Sequence, residues 1–337
     1  MRTVGDILNI MPPPLHESET PHLVLSNVAL GVEVEVGKAW QADAYKPIGW
    51  DVKDDGSLTG PGGRELVFRS PMNGRNAYAA LCSIEDMFEE LGHPDCCLDG
   101  SVHVHLDVTR LTPKQLQNLI TISFMFEPLL MEAFCPKRID NPFCKQVDGN
   151  YDLIRSSAYM ISTLYNDNPL VGGTVSRYAA TNLCSVPKFG SLEYRALASE
   201  WRREPILAWV NALLSMYKHA TETEESVVKV FERYDTPSAC IREVFSSALL
   251  PSRGVDVYRC VKRGIRNART FHYMVEGIVQ DAGKNQSMYN EVRPLDDLPR
   301  STTFPPWPYT EEMSGELEEF TSAPVASEIG RFLNTGD

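Results

Sequence analysis

Along Ala29-Leu30-Gly31-Val32-Glu33-Val34-Glu35-Val36, valine alternates with carboxylate at the period of a β-strand, so Glu33 and Glu35 share one face and Val32, Val34 and Val36 share the other. Two neighbouring carboxylates repel each other. On a strand that otherwise reads as interior they need a cation or a proton, unless the strand lies at an edge with its acidic face in water. The alternation returns three times. In Arg64–Pro71, Leu66 and Phe68 oppose Glu65, Val67 and Arg69. In Ser101–Asp107, Val102, Val104 and Leu106 oppose His103, His105 and Asp107. In Gly190–Leu197, Leu192, Tyr194 and Ala196 oppose Ser191, Glu193 and Arg195.

Helical spacing separates these strands. Ala80, Leu81, Ile84, Met87, Phe88 and Leu91 form a 3.6-period stripe that predicts a helix over Asn76–Leu91. Leu116, Leu119, Ile120, Phe124, Leu129 and Leu130 do the same for Leu111–Phe134, which Thr112-Pro113 opens. From Pro205 the chain reads as helical through Trp209 and Leu214, then over Val227–Leu250 and Val261–Val279. Between Pro136 and Asn182 the pattern loosens into loops that carry Arg138, Asn141, Cys144, Lys145, Gly172-Gly173 and Arg177-Tyr178. The expected organisation is an extended N-terminal arm (residues 1–21), one domain over residues 22–299 with strands mainly in 22–200 and helices in 201–299, and a Pro-rich then acidic tail (300–337). Past Tyr309 that tail carries seven acids against Arg331 alone.

A formal net charge of -13 over 337 residues argues against unguided binding to a nucleic-acid backbone. No uninterrupted apolar segment is long enough to span a bilayer, and Met1–Leu15 lacks a charged region followed by an apolar run, so the expectation is a soluble cytoplasmic protein without a membrane partner. Eight cysteines without repeated spacing read as free thiols. Zinc held by Cys96, Cys97, His103 and His105 is the obvious rival for the histidine strand. The cysteines are adjacent rather than spaced as a clamp, and the other ionisable strands offer only oxygen.

Collected on one sheet, the strands present Glu33, Glu35, Glu65, His103, His105, Glu193 and Arg195 to a common face. Hard oxygen ligands with an imidazole favour Mg²⁺ or Mn²⁺ over zinc, and an arginine beside a divalent site suggests a phosphate. That combination suits phosphoryl transfer, yet no P-loop and no dinucleotide fingerprint is present.

The order Gly31-x-Glu33-x-Glu35, Glu65-Leu66-Val67 before Ser70-Pro71, His103-x-His105 and Leu192-Glu193-Tyr194-Arg195, with Arg138-x-x-Asn141-x-x-Cys144 and Arg177-Tyr178 between them, resembles the amidoligase family over about Leu30 to Leu214. That family belongs to the carboxylate–amine ligases related to glutamine synthetase and glutamate–cysteine ligase. The resemblance implies an α+β fold, a curved antiparallel sheet with helices on its outer face and a helical C-terminal part. It places Glu33, Glu35, Glu65, His103 and Glu193 on metal positions and His105, Lys145 and Arg195 on ATP-binding ones. Arg195, Arg138 and Arg177 fall on positions facing the reacting phosphate. The implied reaction is ATP- and Mg²⁺-dependent amide formation through an acyl phosphate, joining small-molecule or peptide-like carboxylates and amines. A glutamine amidotransferase is one candidate source of ammonia. A metal-dependent hydrolase using a histidine-bound metal water and a catalytically degenerate binding protein remain the alternatives.

Overall fold

The computed structural model describes residues 2–16, 19–39, 42–58, 62–96, 99–167, 176–231, 233–234, 236–245 and 255–284. The Gly172-Gly173 pair, Cys97 and the tail beyond residue 299 lie outside them. Six strands form one sheet: β1 (Leu30–Val36), β2 (Trp50–Asp54), β3 (Arg64–Phe68), β4 (Ser101–Asp107), β5 (Thr181–Asn182) and β6 (Ser191–Ala198). Their order is β2-β3-β1-β4-β6-β5, and every pairing is antiparallel. The helices are α1 (Val4–Leu8), α2 (Ala42–Tyr45), α3 (Gly74–Leu91), α4 (Pro113–Phe134), α5 (Tyr151–Tyr165), α6 (Ser185–Phe189), α7 (Arg203–Glu222), α8 (Val227–Phe231), α9 (Pro237–Phe245) and α10 (Val257–Lys284). The architecture is thus α+β, as the family resemblance implies.

The two faces of the sheet separate as the patterning requires. Val32, Val34, Val36, Leu66, Val102, Val104, Leu106, Leu192 and Tyr194 are buried in the core with residues of α3, α4 and α7. Polar bonds fasten this layer: Trp50 Nε1 donates to Ala80 O of α3 at 2.8 Å, and Tyr194 Oη meets Ser123 Oγ of α4 at 2.8 Å. Helix α4 starts where Thr112 and Gln115 form a reciprocal capping box with Pro113 in the first turn. Helix α10 crosses α4 closely. A Cβ added to Gly264 would fall 1.6 Å from Met125 O, so only glycine permits that approach. Among the described residues no helix is long and apolar enough to cross a membrane.

Several elements depart from the sequence-based expectation. Residues 136–182, expected as loops, contain α5, whose buried Leu153, Ile154, Ala158, Ile161 and Leu164 form a helical stripe diluted by Ser and Thr. The expected helix over Val227–Leu250 is divided into α8 and α9. Pro237 opens the second, because proline lacks the N–H that a continuing helix would use; residues 246–250 lie outside the described residues. Within the N-terminal stretch, α1 is capped by Thr3 and docks through Val4 N–H to Leu111 O (2.7 Å) and Gly5 N–H to Thr109 O (2.9 Å), while residues 10–16 carry no regular structure. Strand β2 was not anticipated, since along it only Trp50 is buried.

Glu127 of α4 is buried, and among the described residues no cation forms an ion pair with it. Its carboxyl accepts from Val147 N–H (2.6 Å) and Thr181 Oγ (3.3 Å), and burial, outweighing those bonds, pushes it up to about 8. A carboxyl whose folded value lies above its unfolded one stabilises the fold below about pH 4.5 and loses that contribution as pH rises through about 8. Glu127→Gln should therefore flatten the loss of stability between about pH 5 and about pH 9, a difference on the order of 1.4 kcal/mol for each pH unit separating the folded from the unfolded value. Urea midpoints of both proteins across that range measure it. Parallel pH profiles would show that Glu127 is not held neutral.

Candidate functional site

Register brings the ionisable side chains together. Glu35 lies opposite Glu65, Glu33 opposite His103, Gly31 opposite His105, and His105 opposite Glu193, which in turn faces Asn182. The predicted residues Glu33, Glu35, Glu65, His103, His105, Glu193 and Arg195 therefore share the polar face. Between Val102 and Val104 the β4–β6 register shifts. Two residues of β6, Arg195 and Ala196, there oppose the single His103, a bulge that interrupts the ladder and re-aims a side chain.

Arg138 completes this bulge. It is 2% exposed, and its Nη groups donate to Gly100 O (3.1 Å) and Arg195 O (3.4 Å). The interrupted ladder thus has an acceptor for which Arg138 is the donor, and Arg195 N–H donates to Ala180 O at 2.9 Å. Arg138 accordingly lies beneath the face and supports Arg195. Cys135 and Cys144, which flank it in sequence, are buried free cysteines, and burial raises both thiols. Lys145 and Arg177 are exposed beside the β5 edge: Lys145 N–H donates to Tyr178 O (2.7 Å), Ala180 N–H donates to Lys145 O (2.8 Å), and the Arg177 guanidinium lies 4.8 Å from the centre of the Tyr178 ring.

The carboxylates do not simply repel. His103, 2% exposed, has Nδ1 2.9 Å from Glu33 Oε2 and Nε2 2.7 Å from Ser101 Oγ, and Ser101 donates onward to Glu35 Oε2 at 2.6 Å. His103 and Ser101 thus link the two carboxylates in one hydrogen-bonded chain, with both imidazole nitrogens engaged. Burial would raise the Glu33 carboxyl, but its interactions with His103 and then His105 outweigh it and hold it well below the usual range. His103 and Ser101 bridge Glu33 and Glu35, so donors within the sheet meet part of the compensation that the alternation of valine and carboxylate demands. Glu65 is the member left in repulsion, raised first by burial and then by Glu33 and Glu35.

His105 differs from His103. Its Nδ1 lies 3.0 Å from Ser191 Oγ, while its Nε2 is buried with no hydrogen-bond partner, 3.5 Å from Glu33 Oε1. When Nδ1–H donates to Ser191, Nε2 keeps its lone pair, the arrangement of a metal-ligating histidine held by its other nitrogen. A Cβ at Gly31 would come 3.2 Å from the His105 Cβ, so glycine leaves room for that ring. Ligand atoms of Glu33, His105 and Glu193 lie within 4.8 Å of one another. Glu193 is 5% exposed; its Oε2 accepts from Asn182 Nδ2 (2.6 Å) and Ser185 Oγ (2.8 Å), and its Oε1 meets Arg195 Nη1. Burial opposes its ionisation, but Arg195 and then the two histidines outweigh that and lower the carboxyl. Ser101, Ser185 and Ser191 were not anticipated as site residues, because a serine that orients a neighbour leaves no pattern in sequence.

An α+β protein with a carboxylate and imidazole cluster beside an arginine on its sheet is the class that fold and site define. Residues 95–216 match the family described as "Putative amidoligase enzyme", a likeness over part of the chain that agrees with the resemblance carried by the motif order. The matched segment runs from before β4 into α7; β1 and β3, with Glu33, Glu35 and Glu65, precede it. Comparison with curated proteins gave no match.

In the metal-free protein, Glu65→Gln should raise the melting temperature, because it removes a charge that burial and two acids disfavour. Glu33→Gln should lower it, because it breaks a charge-assisted bond to His103. Thermal melts in chelator at neutral pH compare them. Equal shifts of the same sign would refute the division of roles.

Proposed function

We propose that this protein is an ATP-dependent carboxylate–amine ligase requiring Mg²⁺ or Mn²⁺, built on a curved sheet of the glutamine synthetase-like kind. The observation that carries the reading is the convergence of Glu33, His105 and Glu193, with an unpartnered Nε2, beside Arg195. The donor set fits a hard divalent cation: carboxylate oxygens dominate and a single bare imidazole nitrogen faces them. Glu33, Glu193 and His105 would hold the ion directly, and Glu35, Glu65 and His103 would support the set. A bound divalent cation supplies charge neutralisation to the ATP phosphates.

The chain's own groups do the rest. Asn182 and Ser185 fix one oxygen of Glu193, so the other is directed to Arg195. Arg195 carries a planar guanidinium suited to two phosphate oxygens at once, and the Arg138 bond to its carbonyl fixes its backbone. It would stabilise the transferring phosphoryl group while a substrate carboxylate attacks it, and then the phosphate that the amine displaces from the acyl phosphate. Lys145 and Arg177, exposed beside the same sheet edge, are suited to the outer phosphates or the acidic substrate. The substrates are small-molecule or peptide-like, and ammonia from a glutamine amidotransferase is among the amines to test.

Calorimetric titration should show ATP binding with Mg²⁺ or Mn²⁺ and none in chelator; equal affinity in both would remove the metal-cluster argument. Mass spectrometry after incubation with ATP, Mg²⁺ and pooled acids and amines should reveal a condensation product. Arg195→Lys keeps the charge but loses the forked donor, so nucleotide affinity should persist while turnover falls roughly 10²-fold or more. If affinity and phosphate release fall by the same factor, Arg195 serves binding alone.

A further inference from the structure

On the opposite side of the sheet, α4, α7 and the β5–β6 pair surround a cavity of about 10 Å³, lined by Ser123, Glu127, Thr181, Tyr194 and Trp209 among apolar side chains. That space holds about one water molecule. Trp209 is 2% exposed, and its indole Nε1 is buried with no hydrogen-bond partner. A buried N–H without an acceptor is strongly disfavoured, so the place of Trp209 on a cavity that Ser123, Glu127, Thr181 and Tyr194 also line points to a ligand that can accept.

The remaining donors and acceptors define that ligand. Ser123 Oγ donates to Leu119 O at 2.8 Å, so at the Ser123–Tyr194 contact the phenol donates and its oxygen keeps lone pairs. Glu127, raised by burial to about 8, carries a proton near neutral pH and offers an O–H. The lining therefore supplies two donors, Trp209 N–H and Glu127 O–H, and one acceptor, Tyr194 Oη. No charged partner for an ion is among them.

We propose that this cavity is a binding site for one internal water molecule, which accepts from Trp209 Nε1 and from the Glu127 carboxyl and donates to Tyr194 Oη. The water ties α4 and α7 to the back of β6, behind the strand positions from which Glu193 and Arg195 project the other way. The inference is independent of the proposed ligase activity.

Crystal structures of the full chain and of Trp209→Phe, at a resolution that shows ordered water, test it. The expected result is a single-atom density peak within hydrogen-bond distance of Trp209 Nε1 and a Glu127 oxygen, lost or weakened in Trp209→Phe. Magnetisation transfer from water to the Trp209 indole proton, seen by NMR of the wild-type protein, provides the same reading if the variant does not fold. An empty wild-type cavity, an indole N–H bonded to a protein oxygen, density larger than one atom, or an unchanged peak in Trp209→Phe would each overturn the assignment.

Discussion

Acidic side chains gathered on one face of a sheet repel unless donors or cations meet them, and here the ladder register determines who finds what. Placing Glu33 opposite His103 and Glu35 opposite Glu65 puts an imidazole beside one carboxylate and a second carboxylate beside the other. A shift by one residue would move every one of these groups to the core face. The valines of β1 and β4 forbid that shift, because they are buried among α3, α4 and α7. Hydrophobic burial on one side thus fixes the electrostatics of the other.

The bulge in β6 is the second constraint. Regular pairing would give His103 one partner on β6; the extra residue interrupts the ladder there and requires donors from outside the sheet. Arg138 supplies them from the turn after α4, which explains a fully buried guanidinium bonded to backbone oxygens rather than facing solvent. The arginine that sequence reasoning assigned to the reacting phosphate therefore acts on its neighbour's backbone. From its spacing alone the two uses look the same.

Strands with one buried face were legible because period-2 alternation is the direct imprint of half-burial, and β1, β3, β4 and β6 all fall where it predicts. Strand β2 was not, since Asp51, Lys53 and Asp54 are exposed at an edge and only Trp50 anchors it. Helix α5 carries its stripe among Ser156, Ser162 and Thr163, whose hydroxyls bond the preceding turns and dilute the apolar signal. At the site the charged residues were visible and their assistants were not: Ser101, Ser185 and Ser191 reach carboxylate or imidazole partners 66, 8 and 86 residues away.

The two histidines show why residue type and spacing could not complete the reading. His103 and His105 lie two apart on one face and look interchangeable in sequence. In the fold, both nitrogens of His103 are engaged, by Glu33 and Ser101, so the ring orients the acids around it. His105 faces a glycine instead of a carboxylate across the β1–β4 ladder, and that missing side chain leaves its ring free to take Ser191 with one nitrogen and turn the other toward Glu33 and Glu193. The different partners of the two histidines are thus set by what stands opposite each of them on β1, Glu33 in one case and Gly31 in the other.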